Sequence, residues 1–296
     1  MALAALPVLV ALSSTAAPAA PPPPAPPLVR TQDETESEGG AQVASADVLA
    51  RLLDDYESAA AAKEAPRVFA ALVRMRDYGN PELLEPALSA LKYKASSADK
   101  KAAKAEAEEL GIRSKSKREE LLFQREADVR AAAARVLANQ AGDKSVGALR
   151  KALKDKQNRK ERPSAIASVV DALGRLGCRD AEAEIEDEFN AFRNPEVVKA
   201  CVLYFGRVKS KRYSIVRALC EQLSPPQPAS VDAASNPPAG YWEMRWKMWM
   251  NIRRDVSWAL KEITGQVFEP AEGEHEGDAK KALEYVKSHK RELGLR

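Results

Sequence analysis

Histidine and cysteine are scarce in this chain of 296 residues. Its only two histidines, His275 and His289, lie in the charged C-terminal region. The three cysteines, Cys178, Cys201 and Cys220, lack the spacing of a metal-binding set, and no histidine lies near them in sequence. Zinc binding and catalysis by a Ser-His or Cys-His pair therefore have little support. The sequence predicts a protein that is not an enzyme, with no catalytic residue, no metal site and no cofactor.

Strand signals and aromatic residues are also few. Aromatic residues make up 6% of the chain, and no run of alternating β-branched residues lies between turn residues. Alanine, the best helix former, is abundant along most of the length. The predicted fold class is therefore all-α. Cys201 and Cys220 fall on apolar faces of successive predicted helices, where we expect small buried side chains; a disulfide between them is the alternative in an exported protein.

The chain begins with a short apolar run that carries no charged side chain. Residues 2–12 read ALAALPVLVAL and are followed by the small residues of TAAPAA (15–20), as in a secretory signal peptide. We expect a signal peptide over 1–19, cleaved after Ala17 or Ala19, and a periplasmic or secreted protein; a disordered Ala/Pro tail is the alternative. The run is too short to cross a bilayer as a helix, so no membrane span is expected after cleavage. Residues 20–44 are Pro-rich and then acidic, which predicts a disordered linker.

From residue 45 onward, helical hairpins recur at a period of about 32 to 36 residues. Three segments align without gaps: VRAAAARVLA (129–138), AIASVVDALG (165–174) and VVKACVLYFG (197–206). Their apolar columns are spaced i, i+4, i+7 and i+8, which indicates amphipathic helices. The columns are Val129, Ala165 and Val197; Ala133, Val169 and Cys201; Val136, Ala172 and Tyr204; and Leu137, Leu173 and Phe205. Each segment ends in a small residue, Ala138, Gly174 or Gly206, as a close helix crossing requires.

The segment ADVRAAAARVLANQAGDKSVGALRKALKD (127–155) resembles the D-x-V-R-x-A-A-x-x-L element of HEAT repeats, including the HEAT-like repeats of phycobilisome lyases. Asp128 and Arg130 match the family's turn motif. The resemblance implies an armadillo-like α-solenoid, an α-α superhelix of about five HEAT-like helical hairpins, over 45–263. The hairpins are 46–62 with 66–78, 81–93 with 126–139, 144–155 with 163–176, 180–192 with 195–208, and 211–223 with 241–263. A charged insertion (95–125) interrupts the second hairpin, a Pro-rich loop (224–240) interrupts the fifth, and residues 264–296 form a C-terminal loop and a capping helix.

The same resemblance implies how such a protein acts. In HEAT repeats the second helix of each hairpin lines the concave inner face, so its exposed positions are expected to set specificity. In this chain those positions are Arg130, Asp171 and Lys199. The predicted function is a scaffold or adaptor that binds a protein or peptide partner through this face, as a monomer, in the cell envelope or outside the cell.

Three tryptophans, Trp242, Trp246 and Trp249, are spaced i, i+4 and i+7 on the last helix of the fifth hairpin. Such a stripe is typical of a core face, here one that seals the last repeat beneath the Pro-rich loop. The alternative is an exposed anchor for a partner, since tryptophan is enriched in interface hot spots. The sequence leaves both interpretations open.

Charge is distributed unevenly, although the net charge is only +3. Three basic segments, 113–118, 154–162 and 207–212, are predicted as loops between helices, and on one shared edge they would follow a phosphate backbone. They support the alternative function, a nucleic-acid-binding HEAT-like protein. Interleaved aromatic residues for base stacking are missing from the basic region, so nucleic acid is not the expected partner. The acidic segment 182–188 lacks the features of a calcium loop and is predicted to be a solvated outer helix.

Overall fold

The computed structural model describes residues 41–191, 194–226, 239–273 and 275–296. Within these ranges the regular structure is helical, and the only β features are two isolated bridges. The all-α prediction is therefore confirmed. The predicted signal peptide, most of the predicted linker and most of the Pro-rich loop lie outside the described residues.

Thirteen α-helices are present in the described ranges, and short 3-10 turns precede α3 (Pro81–Leu83) and α9 (Arg179–Ala181). The helices are α1 (Ala46–Ala62), α2 (Ala65–Met75), α3 (Leu84–Ala90), α4 (Ser97–Glu109), α5 (Lys115–Leu137), α6 (Asp143–Lys154), α7 (Lys156–Glu161), α8 (Pro163–Arg175), α9 (Glu182–Ala191), α10 (Pro195–Arg207), α11 (Tyr213–Glu221), α12 (Ala239–Thr264) and α13 (Ala279–Ser288). The charged insertion 95–125 contains α4 and the first turns of α5. The segment 154–162 differs from expectation, because the expected loop is largely the short helix α7.

Helix starts show how the tertiary environment modifies a local signal. The sequence Asn-Pro-Glu occurs twice, and this pattern predicts a capped helix with proline in its first turn. Asn194 does cap α10, since its side-chain oxygen accepts a hydrogen bond from the Glu196 backbone N–H at 2.9 Å. The Asn80 side chain instead accepts from the Ala44 backbone N–H at 2.7 Å. Ordered structure therefore begins before residue 45, and the end of the predicted linker is held against the second hairpin.

One row of helices runs through the described fold. In this row α2 packs on α5, α5 on α8, α8 on α10, and α10 on α12. Each member also contacts at least one helix outside the row that precedes it in sequence: α1 packs on α2, α3 and α4 on α5, α6 and α7 on α8, α9 on α10, and α11 on α12. Helix α13 packs on α11. Every inner member of the row is therefore covered on at least three sides.

The apolar columns predicted from the aligned segments form the contacts within this row. All twelve residues of the four columns are buried, among them Val129, Val169 and Phe205. Burying one such large aliphatic or aromatic side chain contributes about 1.5–3 kcal/mol. The prediction that these positions form the core is confirmed. The three cysteines are free thiols, and burial raises the pKa of Cys201 and Cys220, the latter to about 12.

Glycine allows the helices of the row to cross closely. A Cβ atom placed on Gly174 would lie 3.2 Å from the Cα atom of Tyr204. At Gly206 it would lie 2.5 Å from a ring carbon of Trp258 and 3.0 Å from the Cα atom of Ala259. The crossings of α8 with α10 and of α10 with α12 thus use the small residues that the sequence pattern predicted.

We expect the same substitution to have opposite effects in two helices. Gly206→Ala forces α10 away from α12 and should lower the free energy of unfolding by about 1–3 kcal/mol. Gly147→Ala in α6, where a Cβ meets no atom within 4 Å, should raise it by about 0.5–1 kcal/mol because alanine is the better helix former. Urea unfolding measures both. Equal effects at the two positions would contradict the close crossing.

The charged insertion is held against the first two hairpins by Asp99 at the start of α4. Its buried carboxylate accepts hydrogen bonds from the Ala65 backbone N–H at 2.8 Å, the Ser96 backbone N–H at 2.9 Å and the Tyr93 hydroxyl at 2.6 Å. Ala65 is the first residue of α2, so the insertion satisfies an N–H group that the helix leaves open. Burial alone would raise the pKa of Asp99, but these hydrogen bonds outweigh it and lower the pKa below its usual value.

Asp99→Asn should reduce stability in a pH-dependent way. Because the pKa is lower in the folded state than in the unfolded state, the stabilisation is complete above the unfolded value of about 3.9 and is lost as the pH falls through the folded value. At pH 7 the loss should be about 1–3 kcal/mol, since a hydrogen-bonded buried charge is removed. Urea unfolding at several pH values measures it, with the exposed Asp54→Asn as control. A difference from the parent that is constant down to strongly acidic pH would contradict this.

Candidate partner-binding surfaces

Arg130, expected as an exposed position of a second helix, is buried, with 4% of its surface exposed. Its Nε and one terminal nitrogen donate to the Tyr93 carbonyl oxygen at 3.0 and 2.8 Å, and the other terminal nitrogen donates to the Asn158 side chain. The expectation that Arg130 meets a partner on an open face is wrong. Its guanidinium joins α5 to the end of the second hairpin's first helix and to α7.

A second arginine explains why this region of the fold is polar inside. Arg162 is almost fully buried, and its Nε donates to the Glu126 carboxylate at 2.9 Å. The other oxygen of Glu126 accepts from the Ala95 backbone N–H at 2.7 Å. Burial and the positive charge of Arg162 lower the pKa of Arg130, while Glu126 and Asp155 oppose that shift. Both arginines therefore fix the junction between the insertion, α5 and α7.

Asp171 and Lys199 lie at the surface, where each pairs with the next helix of the row. The Asp171 carboxylate accepts from Arg207 of α10 at 2.5 Å. The Lys199 ammonium group lies 3.6 Å from the Asp255 carboxylate of α12. Partly exposed pairs of this kind contribute at most about 1 kcal/mol each. These two expected partner residues thus connect neighbouring helices across the row.

The structure separates the three tryptophans. Trp249 is 2% exposed, and its indole N–H donates to the Gln222 carbonyl oxygen at 2.8 Å. Trp246 is 47% exposed, with its ring centroid 5.1 Å from that of Trp249. Trp242 is partly buried and packs edge-on against Tyr241, with ring centroids 5.2 Å apart. One tryptophan of the stripe is core and another is an exposed apolar side chain.

Trp246 borders a groove that we call the α12 groove. It has a volume of about 940 Å³ and lies between α12, the segment after α11 and the segment before α13. Trp246, Trp249 and Met250 form its apolar side. Neither Asp171 nor Lys199 lines it. The sequence analysis missed Met250, although methionines interleaved with the tryptophan stripe are a signal for an adaptable contact surface.

The rest of the α12 groove lining is charged and hydrogen-bonded. The Arg253 guanidinium lies over the Trp249 ring, 5.4 Å from its centroid. It also donates to the Ala271 carbonyl oxygen at 2.7 Å and to the Glu272 carboxylate at 2.8 Å. The neighbouring arginines Arg254 and Arg253 lower the pKa of Glu272. The groove thus combines the exposed apolar side chains of Trp246 and Met250 with the hydrogen-bonded charges of Arg253 and Glu272. A mostly apolar lining with a few fixed polar groups is typical of binding pockets.

The basic segments are paired with acidic side chains of α9 and its neighbours. The Lys154 ammonium group lies 2.9 Å from the Glu184 carboxylate, and Arg159 pairs with Glu188. Arg212 lies 2.7 Å from Glu186. Partial burial by itself would raise the pKa of Glu184. Hydrogen bonds from Lys154 and Arg150 outweigh this effect, so the pKa of Glu184 is lowered. The segment 182–188 lies in α9, which is a helix outside the row as expected, but Glu182 and Glu188 are buried, so the helix is not solvated throughout. Several basic side chains of 154–162 and 207–212 are paired with it.

The described ranges contain neither a cluster of metal ligands nor a membrane-spanning helix. There, no group of three or more His, Cys, Asp or Glu side chains is arranged to hold a metal ion. No helix among the described residues has both the length and the apolar character to cross a membrane. Comparisons with protein-family models, with curated proteins and with solved structures gave no match to this chain.

Two tryptophan substitutions distinguish core from surface. Trp249→Ala removes a buried ring and should lower the free energy of unfolding by about 3–5 kcal/mol. Trp246→Ala, whose ring is half exposed, should lower it by less than about 1 kcal/mol and leave the circular dichroism spectrum unchanged. Urea unfolding followed by circular dichroism measures both. Similar losses for the two variants would contradict this division of the stripe.

Proposed function

We propose that the protein is a non-enzymatic scaffold that binds a protein or peptide partner in the cell envelope or outside the cell. In this proposal the helix pairs form an α-solenoid of HEAT-like hairpins, capped by α13. The order of contacts along the row α2, α5, α8, α10 and α12 supports it, because the most extensive contacts among the described residues join helices of pairs that are neighbours in sequence. The location is supported by the apolar N-terminal run, which lies outside the described residues.

The observation that carries the proposal is the exposure of Trp246 and Met250 beside the α12 groove. Trp246 is 47% exposed and Met250 is 43% exposed, although both residue types are usually buried. Tryptophan and methionine are enriched in protein interfaces, where they supply large contact areas. The groove of about 940 Å³ accommodates several side chains of a partner segment.

The geometry suggests how the surface would work. Trp249 is locked by its hydrogen bond to Gln222, and Trp246 packs against it, so the exposed ring needs little ordering on binding. Met250 is flexible and adapts to the shape of an incoming apolar side chain. Arg253 of α12 and Glu272 of the segment before α13 offer polar groups that set the orientation of the partner's backbone.

Asp171 and Lys199 were expected to contact the partner, but their ion pairs along the row favour a structural role. Asp171 joins α8 to α10 and Lys199 joins α10 to α12. Of these two pairs, the one between Lys199 and Asp255 reaches α12, on which the groove is built, and the other holds the α10 helix that carries Lys199 against α8. In the proposal, Asp171 and Lys199 therefore position the binding surface, and contact with the partner is centred on α12.

Two methionine variants of the full chain test the proposal. Met250→Ala removes a residue that lines the α12 groove, whereas Met244→Ala removes a residue of the same type and of 46% exposure that lies outside it. The partner is first captured with the parent protein from an envelope fraction and identified. Its affinity, measured by titration calorimetry, should fall at least about tenfold for Met250→Ala and for Trp246→Ala, and stay within about twofold for Met244→Ala.

Three outcomes would contradict the proposal. One is the absence of any specific partner in the envelope fraction. Another is equal binding by Met250→Ala and the parent. The third is salt-dependent retention on DNA or heparin with an affinity above that for any captured protein, which would favour the nucleic-acid alternative.

A further inference from the structure

A second groove lies between α3 and α6, where the insertion leaves the second hairpin. Its volume is about 760 Å³. Apolar or small residues form its floor: Leu91, Gly147, Ala148 and Ala152. It is on a different part of the fold from the α12 groove and shares no residue with it. We call it the lysine-rimmed groove, for the reason that follows.

Lysines stand on both walls of this groove. Lys92 and Lys94 follow α3 on one wall, and Lys151 and Lys154 belong to α6 on the other. Lys154 also pairs with Glu184 at 2.9 Å, but the other three form no ion pair with any of the described residues. Asp155 is the only acidic side chain in the lining, and it lies 3.6 Å from a guanidinium nitrogen of Arg130. The rim therefore presents uncompensated positive charge from two sides.

Gly147 is placed where the packing of the chain does not require a glycine. It lies in the interior of α6, where glycine destabilises a helix relative to alanine. A Cβ atom built there meets no atom within 4 Å, in contrast to Gly174 and Gly206, which neighbouring helices contact closely. Its φ angle is not in the left-handed region either. What Gly147 provides is an open approach to the helix backbone from the groove.

Fixed polar contacts close one end of the groove. Arg130 is held by the Tyr93 carbonyl oxygen and by Asn158, which in turn donates to the Ala152 carbonyl oxygen at 3.1 Å. These bonds connect the end of the α3 wall to α5 and α7. Both walls are thus held at a set separation before any ligand is present, and a preformed groove lowers the cost of binding.

We propose that the lysine-rimmed groove binds an acidic amphipathic helix from a partner protein. The small residues Gly147 and Ala148 let the backbone of such a helix come close to α6, and its apolar stripe covers the floor. Carboxylates on the two flanks of that stripe reach the lysines of both walls. A ligand with a single anionic head group would use one wall only, and a nucleic acid would leave the apolar floor without a partner.

The test uses the full-length protein and a synthetic probe. The probe is a fluorescein-labelled peptide of about 18 residues, ~27 Å long as a helix, made of Glu, Ala and Leu with all Leu residues on one face. We expect saturable binding in fluorescence anisotropy that weakens as salt is added. Gly147→Trp fills the groove and should reduce the affinity at least about tenfold. Lys92→Glu combined with Lys151→Glu should do the same.

Matched controls separate this effect from loss of the fold. Gly147→Trp introduces a side chain into open space and should keep the thermal midpoint of the parent within about 4 °C. Lys101→Glu changes the same charge on the exposed face of α4, outside the groove, and should bind the probe within about twofold of the parent. Trp246→Ala should also retain binding, so a failure here and a failure of the proposed α12 surface are distinguishable.

Several results would overturn the proposal. Unchanged probe affinity in folded Gly147→Trp is one. Equal binding of a peptide in which Lys replaces Glu is another. The third is a competition result: a single-stranded oligonucleotide or dodecanoate displaces the probe at a lower concentration than the unlabelled peptide does. Either result would identify a different class of ligand.

Discussion

Mutual burial along one row of helices is the constraint on which the rest of this structure depends. Neither helix of a pair can remove its apolar stripe from water alone, and α8 illustrates this because it contacts α5 on one side and α10 on the other. Val169, at the centre of α8, is buried as a result. The crossings are close because Gly174 and Gly206 carry no side chain at the contact. The two candidate grooves lie at different places along the row: one is at its α12 end, and the other is between α3 and α6, which pack on α5 and α8.

Ion pairs also join helix pairs that are neighbours in sequence. Acidic residues of α9 pair with cations of the preceding pair, such as Arg159, and with Arg212 of the following one. Such surface contacts add little energy individually but favour one order of neighbours over others. The buried Arg162–Glu126 pair differs, because both charges are removed from water, and one terminal nitrogen of Arg162 has no hydrogen-bond partner among the described residues. The pair joins α5 to the start of α8, and the hydrogen bond from the Ala95 backbone N–H to Glu126 holds the first residue of the insertion against α5.

The sequence was most informative where helical period and burial coincide. The four apolar columns and the small residues that end them could be predicted because one amphipathic helix repeats three times in register. Arg130 could not be placed, because its position in the turn motif does not reveal that the Tyr93 carbonyl and Asn158 surround it. Helix α7 was missed because a polar, charged segment gains order here through buried Asn158 and Arg162. Trp249 is buried and Trp246 is exposed, because the segment that contains Gln222 covers Trp249. A contact with a distant segment cannot be predicted from the spacing of the tryptophans alone.

Native-state hydrogen exchange with mass spectrometry tests the central claim most directly. If the row is one cooperative unit, amides of α5, α8 and α10 exchange slowest and at a common rate that follows global unfolding. The first turns of α12, where Trp246 faces solvent, exchange faster. Exchange of α8 that is faster than that of the peripheral helix α13, or independent of α5 and α10, would contradict the account.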